Sequence, residues 1–333
     1  MPKILILRFS SIGDIVLTTP VVRCIKEQMP RAEVHYCTKK AFQNILAHNP
    51  HVDKVHVLED SLNKLIADLK AENFDYVVDL HNNLRTRIIK TRLRRPSRSF
   101  DKLNYEKWLM VNFKRNKLPE VHIVQRYLDA AAALGVQDDG RGLEYFIPAQ
   151  DEVDVHTLPE GFQGGYVAFA IGAQHFTKRL PTPRIIELCE QLQQPVILLG
   201  GKEDAATGEE IAAHFDTRHT AHGTRTTIFN ACGKYNLNGS ASLVRQADKV
   251  VSHDTGLMHI AAAFQKDIIS VWGNTIPEFG MYPFRTKYKV LEVHGLSCRP
   301  CSKIGYSKCP KGHFKCMWDI PFGDLEFKKE KTS

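Results

Sequence analysis

The segment "LRFSSIGDIVLTTPVV", residues 7–22, contains the first residues whose types suggest chemistry. The apolar run "KILIL" before it predicts a strand, and "TTP" is typical of the start of a helix. Ser11, Gly13 and a single acid, Asp14, therefore lie between a strand and a helix. A helix N-cap explains such a carboxylate structurally. A chemical role at the carboxyl end of the strand is the alternative.

A second such segment is "VVSHDTGLMHIAAA", residues 250–263. A buried strand is expected to end before a turn made of Asp254, Thr255 and Gly256, and His259 lies near the start of the helix that follows. The backbone N–H groups at that helix start would bind a phosphate, and the helix dipole would assist. Asp254 can cap the helix and still orient a ligand hydroxyl. A plain capping turn is the alternative.

Two further strand ends in the same half of the chain carry charged residues. "AIGAQHFTKRLP" places Lys178 and Arg179 before a helix that starts with proline, and a lysine there is a natural countercharge for a diphosphate. "LLGGKED" places Glu203 and Asp204 after two glycines, where either acid can accept hydrogen bonds from a ribose. Solvated loops between strand and helix are the structural alternative for both segments.

Four of the eight cysteines crowd the C-terminal end, in "CRPCSKIGYSKCPKGHFKC" with His313 among them. They are Cys298, Cys301, Cys309 and Cys316. The first pair has the C-x₂-C spacing of zinc ligands, but six residues separate the second pair. Structural zinc, reduced thiols packed in a loop, and disulfides remain open for these four residues.

Strand and helix signals alternate along both halves of the chain, which favours parallel sheets with crossover helices. A polar stretch rich in proline and glycine, residues 148–165, separates the halves, and the pattern then restarts with "YVAFAIG". The length of 333 residues also suits two domains. The sequence therefore predicts two α/β units in which ligands bind outside the carboxyl ends of the strands.

The charge of the chain is positive and unevenly placed. The formal net charge is +8, the pI is about 9.0, and twelve basic residues but only two acids fall between Arg85 and Lys117. An anionic partner is expected, either a nucleic acid, a phosphorylated metabolite or an anionic membrane surface. The sequence contains neither an apolar run long enough to span a membrane nor the features of a signal peptide, so we expect a cytoplasmic protein.

The motifs together resemble the ADP-heptose:lipopolysaccharide heptosyltransferases of glycosyltransferase family 9. "ILRFSSIGDIVLTTPVV" and "DTGLMHIAAAF" carry the resemblance, with "TKRLP" and "LGGKED" between them. The resemblance implies a GT-B fold, with two Rossmann-like domains facing across a cleft. Residues 1–150 would bind the acceptor and supply the catalytic base, and residues 165–315 would bind the nucleotide sugar. Residues 316–333 would form a tail, for which a return to the first domain is one interpretation.

The resemblance also assigns roles to individual residues. Asp14 would be the general base of an inverting transfer that needs neither a metal nor a cofactor. The donor ADP-heptose would meet Lys178, Glu203, Tyr235, Asp254, Thr255, Gly256 and His259, with Tyr235 near the adenine. The acceptor, a lipopolysaccharide core precursor, would meet Ser11, Gly13, Arg85 and Arg87. The basic stretch suits peripheral contact with the inner face of the cytoplasmic membrane.

Several other interpretations compete with this one. A family 9 transferase with another donor or acceptor keeps the same motifs. A basic nucleic-acid-binding protein explains the charge but leaves "SSIGD" and "DTGLMH" without a role, so we expect no nucleic acid. A dinucleotide oxidoreductase is disfavoured because the first turn lacks G-x-G-x-x-G. A scaffold without activity is disfavoured because Asp14, Lys178 and Asp254 are all present.

Overall fold

The computed structural model describes residues 1–216 and 226–327. The chain divides into two compact units. Helices and strands are numbered in chain order. The first unit contains Met1–Asn104 and Pro119–Phe146, and the second contains Tyr105–Leu118 and Ile147–Ser333. The segment Tyr105–Leu118 thus joins the second unit, although it lies within the sequence range expected for the acceptor domain.

The first unit is built on a parallel sheet. Its strands are β1 (Lys3–Leu7), β2 (Glu33–Lys39), β3 (Lys54–Leu58), β4 (Tyr76–Asp79) and β5 (Ser97–Ser99), in the order β3-β2-β1-β4-β5. The first helices are α1 (Ile12–Val16), α2 (Thr19–Gln28), α3 (Gln43–Leu46), α4 (Leu62–Ala71) and α5 (Leu84–Leu93). Helix α6 (Asn104–Phe113) begins at the boundary between the units, and α7 (Ile123–Ala131) returns to the first.

The second unit is also built on a parallel sheet with helices between its strands. Its helices are α8 (Glu160–Gln163), α9 (Thr182–Leu192), α10 (Ala205–Asp216), α11 (Leu237–Gln246), α12 (Gly256–Ala263) and α13 (Lys315–Trp318). Its strands are β6 (Val167–Ala170), β7 (Val196–Leu199), β8 (Ile228–Asn230), β9 (Lys249–His253), β10 (Asp267–Trp272) and β11 (Tyr288–Glu292). The sheet order is β11-β10-β9-β6-β7-β8, and all pairings are parallel.

Apolar runs explain why these segments form central strands. Every residue of β6 and of β7 is buried, as expected for strands that helices cover on both faces. In the first unit, the buried side chains of β1 pack with those of α4 and α5 in one core cluster. No helix among the described residues is both long and apolar enough to cross a membrane.

The C-terminal tail belongs to the core of the second unit as far as the structure describes it. Met317, Ile320, Phe322 and Leu325 are buried in the same cluster as the strands of that unit. Residues 316–327 therefore pack within the second unit, and a return of the tail to the first domain stays a prediction. Residues 328–333 of the tail lie outside the described residues.

Candidate functional site

Each sheet reverses its strand order at one place. In the first unit, the chain adds β2 and β3 on one side of β1, and then β4 and β5 on the other. In the second unit, the reversal lies between β6 and β9. Loops that leave the two strands at such a switch point diverge, and the crevice between them is where open α/β sheets bind ligands. The expected site residues Asp14, Lys178 and Asp254 all follow strands at these two reversals.

Asp14 lies in the first turn of α1 and contacts Ser11 and Arg8. Its Oδ2 accepts hydrogen bonds from the Ser11 hydroxyl at 2.8 Å and from the Ser11 backbone N–H at 3.1 Å. Its Oδ1 lies 2.6 Å from Nη2 of Arg8. Burial alone would raise the pKa of Asp14, but Arg8 and the Ser11 hydrogen bonds together outweigh it and lower that pKa. Asp14 is thus ionised at neutral pH, and its side chain is 19% exposed.

Arg8 is a site residue that the sequence reasoning missed. Its guanidinium is buried and donates to the carbonyl oxygens of Ser10 and Leu80 and to the Tyr127 hydroxyl, the last at 2.9 Å. A buried cation needs a counter-ion, and Asp14 supplies it. The signal in the sequence was a lone cation directly after the first strand. Gly13 is buried in the turn that carries Asp14, and Ser11 is exposed at its start.

His81 is a second missed residue, at the carboxyl end of the neighbouring strand β4. Its ring packs edge-on against Phe9, with the ring centroids 5.7 Å apart. Burial, together with the charges of Arg8 and Lys102, lowers the pKa of His81 to about 4. The imidazole is therefore neutral at neutral pH. It was visible in the sequence as the last residue of "YVVDLH".

Buried Asp79 shapes the loop that carries His81. Its Oδ1 accepts the backbone N–H groups of His81 and Asn82, at 3.0 and 2.7 Å. Its Oδ2 lies 2.8 Å from Nζ of Lys90 on α5. The carboxylate therefore ties the end of β4 to the helix that follows.

In the second unit, the loops after β6 and β9 meet through Lys178 and Asp254. The Lys178 ammonium lies 2.6 Å from Asp254 Oδ2 and 3.2 Å from the Asp254 carbonyl oxygen. The Thr275 hydroxyl, from the loop after β10, donates to the same Oδ2 at 3.0 Å. The side chains of Lys178 and Asp254 are 17% and 9% exposed. The loops after three neighbouring strands thus converge on the Asp254 carboxylate, which holds the Lys178 ammonium.

The start of α12 lies directly beside this pair. Thr255 is the N-cap of α12, and Gly256 is its first residue. Both are partly exposed, whereas His259 is only 2% exposed and lies within the packed part of the helix. Since the first N–H groups of a helix have no partner within the helix, this end can receive an anionic oxygen.

The two acids of "LGGKED" differ in burial and in their contacts. Asp204 is buried, accepts the Gly201 backbone N–H at 2.9 Å, and lies 3.0 Å from Nη1 of Arg179. Glu203 is exposed. A Cβ on Gly172 would approach Asp204 Oδ2 to 2.2 Å, so this glycine makes room for the carboxylate. Asp204 and Arg179 therefore hold the loops together, and Glu203 is the acid available to a ligand.

Tyr235 follows the adjacent strand β8 and is partly exposed, just before the N-cap of α11. Its loop packs closely on the loop that carries Glu203. The Gly233 N–H donates to the Gly200 carbonyl oxygen at 3.1 Å. Gly233 has a φ of +72°, and a Cβ there would lie 2.9 Å from Lys202 Cα, so the contact requires glycine. Tyr235 and Glu203 are thereby placed on neighbouring loops.

Arg85 and Arg87 lie in the first turns of α5, and both are exposed. Arg85 also lines an open depression of about 640 Å³ in the first unit, together with Lys39 and Lys40 at the end of β2. The two lysines were not expected as site residues. Glu59 and Asp60 line the same depression, and Nζ of Lys40 lies 3.2 Å from Oε1 of Glu59, so the depression carries charges of both signs.

The four C-terminal cysteines lie close enough together that burial and the other three thiols raise the pKa of Cys316 to about 12. All four are free, and no three of their sulfur atoms lie within 4.8 Å of one another. Cys298 Sγ lies 3.7 Å from His313 Nε2. The zinc hypothesis for Cys298, Cys301, Cys309 and Cys316 therefore stays a prediction, with Cys316 also packed into the apolar core of this unit.

The loop that begins at Cys298 contacts the loops around Lys178. Arg299 donates to the carbonyl oxygens of Gly273 at 2.6 Å and Thr275 at 2.9 Å. The Tyr306 N–H donates to the Thr177 hydroxyl at 2.8 Å, next to Lys178. The loop therefore holds the loops after β6 and β10 in place through hydrogen bonds.

His35, His56 and Glu72 form the one group of three side chains, among the described residues, whose ligand atoms lie within 4.8 Å of one another. His35 Nδ1 lies 2.9 Å from His56 Nε2, and His35 Nε2 lies 2.7 Å from Glu33 Oε1. Two lysines pair with Glu72. Since these contacts engage both nitrogens of His35 and add positive charge, the group fits a buried hydrogen-bond chain better than a cation site.

Solved proteins share this architecture. The structure described as Escherichia coli ADP-heptose LPS heptosyltransferase II aligns with a TM-score of 0.69 at 21% identity, covering 90% of this chain and 95% of its own. Escherichia coli heptosyltransferase WaaC with ADP aligns with a TM-score of 0.65 at 22% identity, covering 87% and 93%. The two Rossmann-like units therefore have the GT-B fold that the sequence predicted.

Residues 62–310 match Glycosyltransferase family 9 (heptosyltransferase), and the chain belongs to this family of glycosyl-transferring enzymes. Lipooligosaccharide heptosyltransferase 2 of Haemophilus influenzae is 26% identical over 298 residues, covering 83% of this chain and 85% of the relative. Lipopolysaccharide heptosyltransferase 2 of Escherichia coli K12 is 22% identical over 331 residues, covering 93% and 91%. The family resemblance is thus confirmed.

Proposed function

We propose that this protein transfers a heptose from ADP-heptose to a lipopolysaccharide core precursor, with inversion at the anomeric carbon. The observation that carries the proposal is the placement of an ionised carboxylate, Asp14, at one switch point and of a cation beside a helix start, Lys178 and α12, at the other. The names of the relatives above supply the donor and the acceptor class. All of them are heptosyltransferases.

The leaving group is the part of the reaction that the second unit would serve. Lys178 and the first N–H groups of α12 would bind the diphosphate, and Glu203 and Tyr235 would meet the ribose and the adenine. Binding requires Lys178 to direct one of its N–H groups to a phosphate oxygen while it keeps its contact with Asp254. Asp254 would then keep the ammonium in place while negative charge develops on ADP. Such preorganised charge stabilises the transition state without a metal.

Asp14 would act on the acceptor. The acceptor oxygen attacks the anomeric carbon, its proton passes to a carboxylate oxygen of Asp14, and the bond to ADP breaks on the opposite face of the sugar. A single displacement of this kind inverts the anomeric configuration. General-base assistance is worth about 10²–10⁴-fold in rate. Arg8 keeps Asp14 ionised and fixes its orientation through Oδ1.

Cations of the first unit would hold the acceptor. Arg85 and Lys39 line one depression, in which Lys40 pairs with Glu59, and Arg87 is exposed on the same helix as Arg85. A core precursor that carries carboxylates and phosphates supplies matching charge. We also propose that the protein contacts the inner face of the cytoplasmic membrane peripherally, where such an acceptor is anchored.

The test is to incubate the protein with ADP-heptose and a core acceptor, and to follow ADP release and the mass of the product. The proposal expects stoichiometric ADP and heptosylated acceptor, an inverted anomeric centre by NMR, and unchanged rates after chelation of divalent metals. Competing UDP- and GDP-sugars are the matched controls. Turnover with one of these and none with ADP-heptose would reassign the donor, and retention of configuration would remove Asp14 from the base role.

A further inference from the structure

Helix α6 presents an aromatic surface to solvent. None of its ten residues is buried, and Tyr105, Trp108 and Phe113 are 66%, 51% and 57% exposed. A surface helix ordinarily turns an apolar stripe toward the core. Here the largest apolar side chains remain outside, and a cluster of exposed aromatic residues marks an interaction surface.

The three side chains form one contiguous cluster, which we call the aromatic patch. The rings of Tyr105 and Trp108 stack with centroids 6.3 Å apart and planes 21° apart. The ring of Phe113 meets Trp108 at 5.1 Å in an edge-on arrangement. The patch is therefore a preassembled apolar surface.

Lysines of the same segment fix the patch to the second unit. Nζ of Lys107 lies 5.8 Å from the centroid of the Phe279 ring. Nζ of Lys114 donates to the Pro300 carbonyl oxygen at 2.6 Å. These lysine contacts and the partly buried residues 109–111 lie toward the unit, whereas the three aromatic side chains are exposed.

The charge around the patch identifies the kind of partner. Residues 102–118 contain five cations and one acid, Glu106. Aromatic residues beside lysine and arginine are typical of helices that lie in a membrane interface. A second copy of this chain would bring like charges together, whereas an anionic lipid surface offers both an apolar layer and negative charge. Ten residues span about 15 Å as a helix, half of a bilayer core, so α6 would lie along the surface.

We propose that α6 docks this protein on anionic lipid bilayers. The aromatic patch enters the headgroup region, and the exposed Arg115 and Lys117 meet lipid phosphates. The inference deepens the proposed function, since it names the element that brings the enzyme to a lipid-anchored acceptor.

Sedimentation of the full-length protein with vesicles tests this proposal. Phosphatidylcholine vesicles with and without phosphatidylglycerol are compared, and binding should require the anionic lipid and weaken with added salt. The double variant Trp108→Ser/Phe113→Ser should bind at least about tenfold less, because two aromatic side chains lose their apolar contact. Arg115→Gln/Lys117→Gln should weaken binding to anionic vesicles only. Trp318→Ser, which removes a 43% exposed tryptophan outside α6, is the matched control and should bind normally.

Tryptophan fluorescence gives a second readout. In a Trp318→Phe background, Trp108 and the buried Trp272 remain, and only Trp108 should shift to the blue on adding vesicles. Wild-type binding by the double variant, or equal loss in Trp318→Ser, would overturn the assignment to α6. A dimer of the wild type that the double variant abolishes would make the patch a self-association surface instead.

The transfer reaction is measured separately with an acceptor saccharide stripped of its acyl chains. The double variant should glycosylate this soluble acceptor at the wild-type rate, because α6 is outside the proposed catalytic groups. Absence of transfer by the wild type would end the proposed function and leave the vesicle result standing. Loss of vesicle binding with full transfer, conversely, supports docking by α6.

Discussion

Oδ1 of Asp14 lies 2.6 Å from Nη2 of Arg8, so the proposed base forms an ion pair with a buried guanidinium. Arg8 is itself fixed by Leu80 and Tyr127. The pair leaves Oδ2 of Asp14 to two hydrogen bonds from Ser11. The carboxylate is therefore ionised and oriented before any substrate arrives.

Asp14→Asn should reduce kcat about 10²–10⁴-fold, because the amide cannot accept the acceptor proton. The affinity for ADP, measured by calorimetry, should remain within about twofold of wild type, since Lys178 and α12 are untouched. Asp68→Asn, a substitution of an exposed acid on α4, is the control. A variant Asp14→Asn with normal turnover would show that another group removes the proton.

Arg8→Met should move the acid limb of the kcat/KM pH profile to higher pH. Arg8 lowers the pKa of Asp14, whereas burial raises it, so removal of the cation leaves burial as the dominant effect. Arg8→Lys keeps the charge and should shift the limb less. Tyr127→Phe removes one hydrogen bond to Arg8 but keeps the ion pair, and it serves as the control for altered packing. An acid limb at the wild-type pH in all three variants would contradict the proposed effect of Arg8 on the pKa of Asp14.

Lys178→Ala should weaken ADP binding about 10- to 100-fold, as expected when a charge-assisted hydrogen bond to phosphate is lost. Lys178→Arg should retain part of the affinity. Titration of the purified variants with ADP by calorimetry gives the comparison. Lys202→Ala, an exposed lysine of the neighbouring loop, is the control. Equal affinities for wild type and Lys178→Ala would remove Lys178 from the diphosphate site.

Glu203→Gln and Asp204→Asn should separate ligand binding from stability. The buried Asp204 pairs with Arg179 and accepts the Gly201 N–H, so its substitution should lower the free energy of unfolding by about 2–4 kcal/mol. Glu203→Gln changes an exposed side chain, so it should leave the free energy of unfolding unchanged and weaken ADP binding. Chemical denaturation and ADP titration of both variants test this. The reverse pattern would exchange the two roles.

The free energy of unfolding should fall as the pH decreases from about 6.5 to about 4. Burial lowers the pKa of His56 and of His253 to about 4. The unfolded chain therefore binds protons that the folded chain excludes, so stability is retained above the ordinary histidine pKa and lost as the pH falls below it. Each of these two histidines therefore lowers the free energy of unfolding by up to about 3 kcal/mol between neutral pH and pH 4. Denaturant titrations at several pH values measure the slope.

His56→Gln should flatten part of that pH dependence. His294→Gln is the control, because the His294 side chain is 84% exposed. Both variants are compared with the wild type over the same pH range. An unchanged slope in His56→Gln would place the proton uptake on other groups.

Local patterns in the sequence determined much of this protein. Apolar runs predicted the central strands β1, β6 and β9, since parallel strands covered on both faces read as continuous hydrophobic segments. Glycines and polar residues directly after those runs located Asp14, Lys178 and Asp254 at strand ends. The motifs also resemble those of the family, and the match over residues 62–310 confirms that resemblance.

Tertiary structure decided how those residues pair. Lys178 and Asp254 are 76 residues apart, and Arg8 meets Tyr127 across 119 residues. These contacts depend on which strands become neighbours and in which register, information that no local pattern contains. The same applies to the buried Asp204, which Arg179 from the loop after β6 contacts at 3.0 Å. The sequence therefore determined the elements and their chemical residues, and packing between distant strands decided which charges meet and which stay available to ligands.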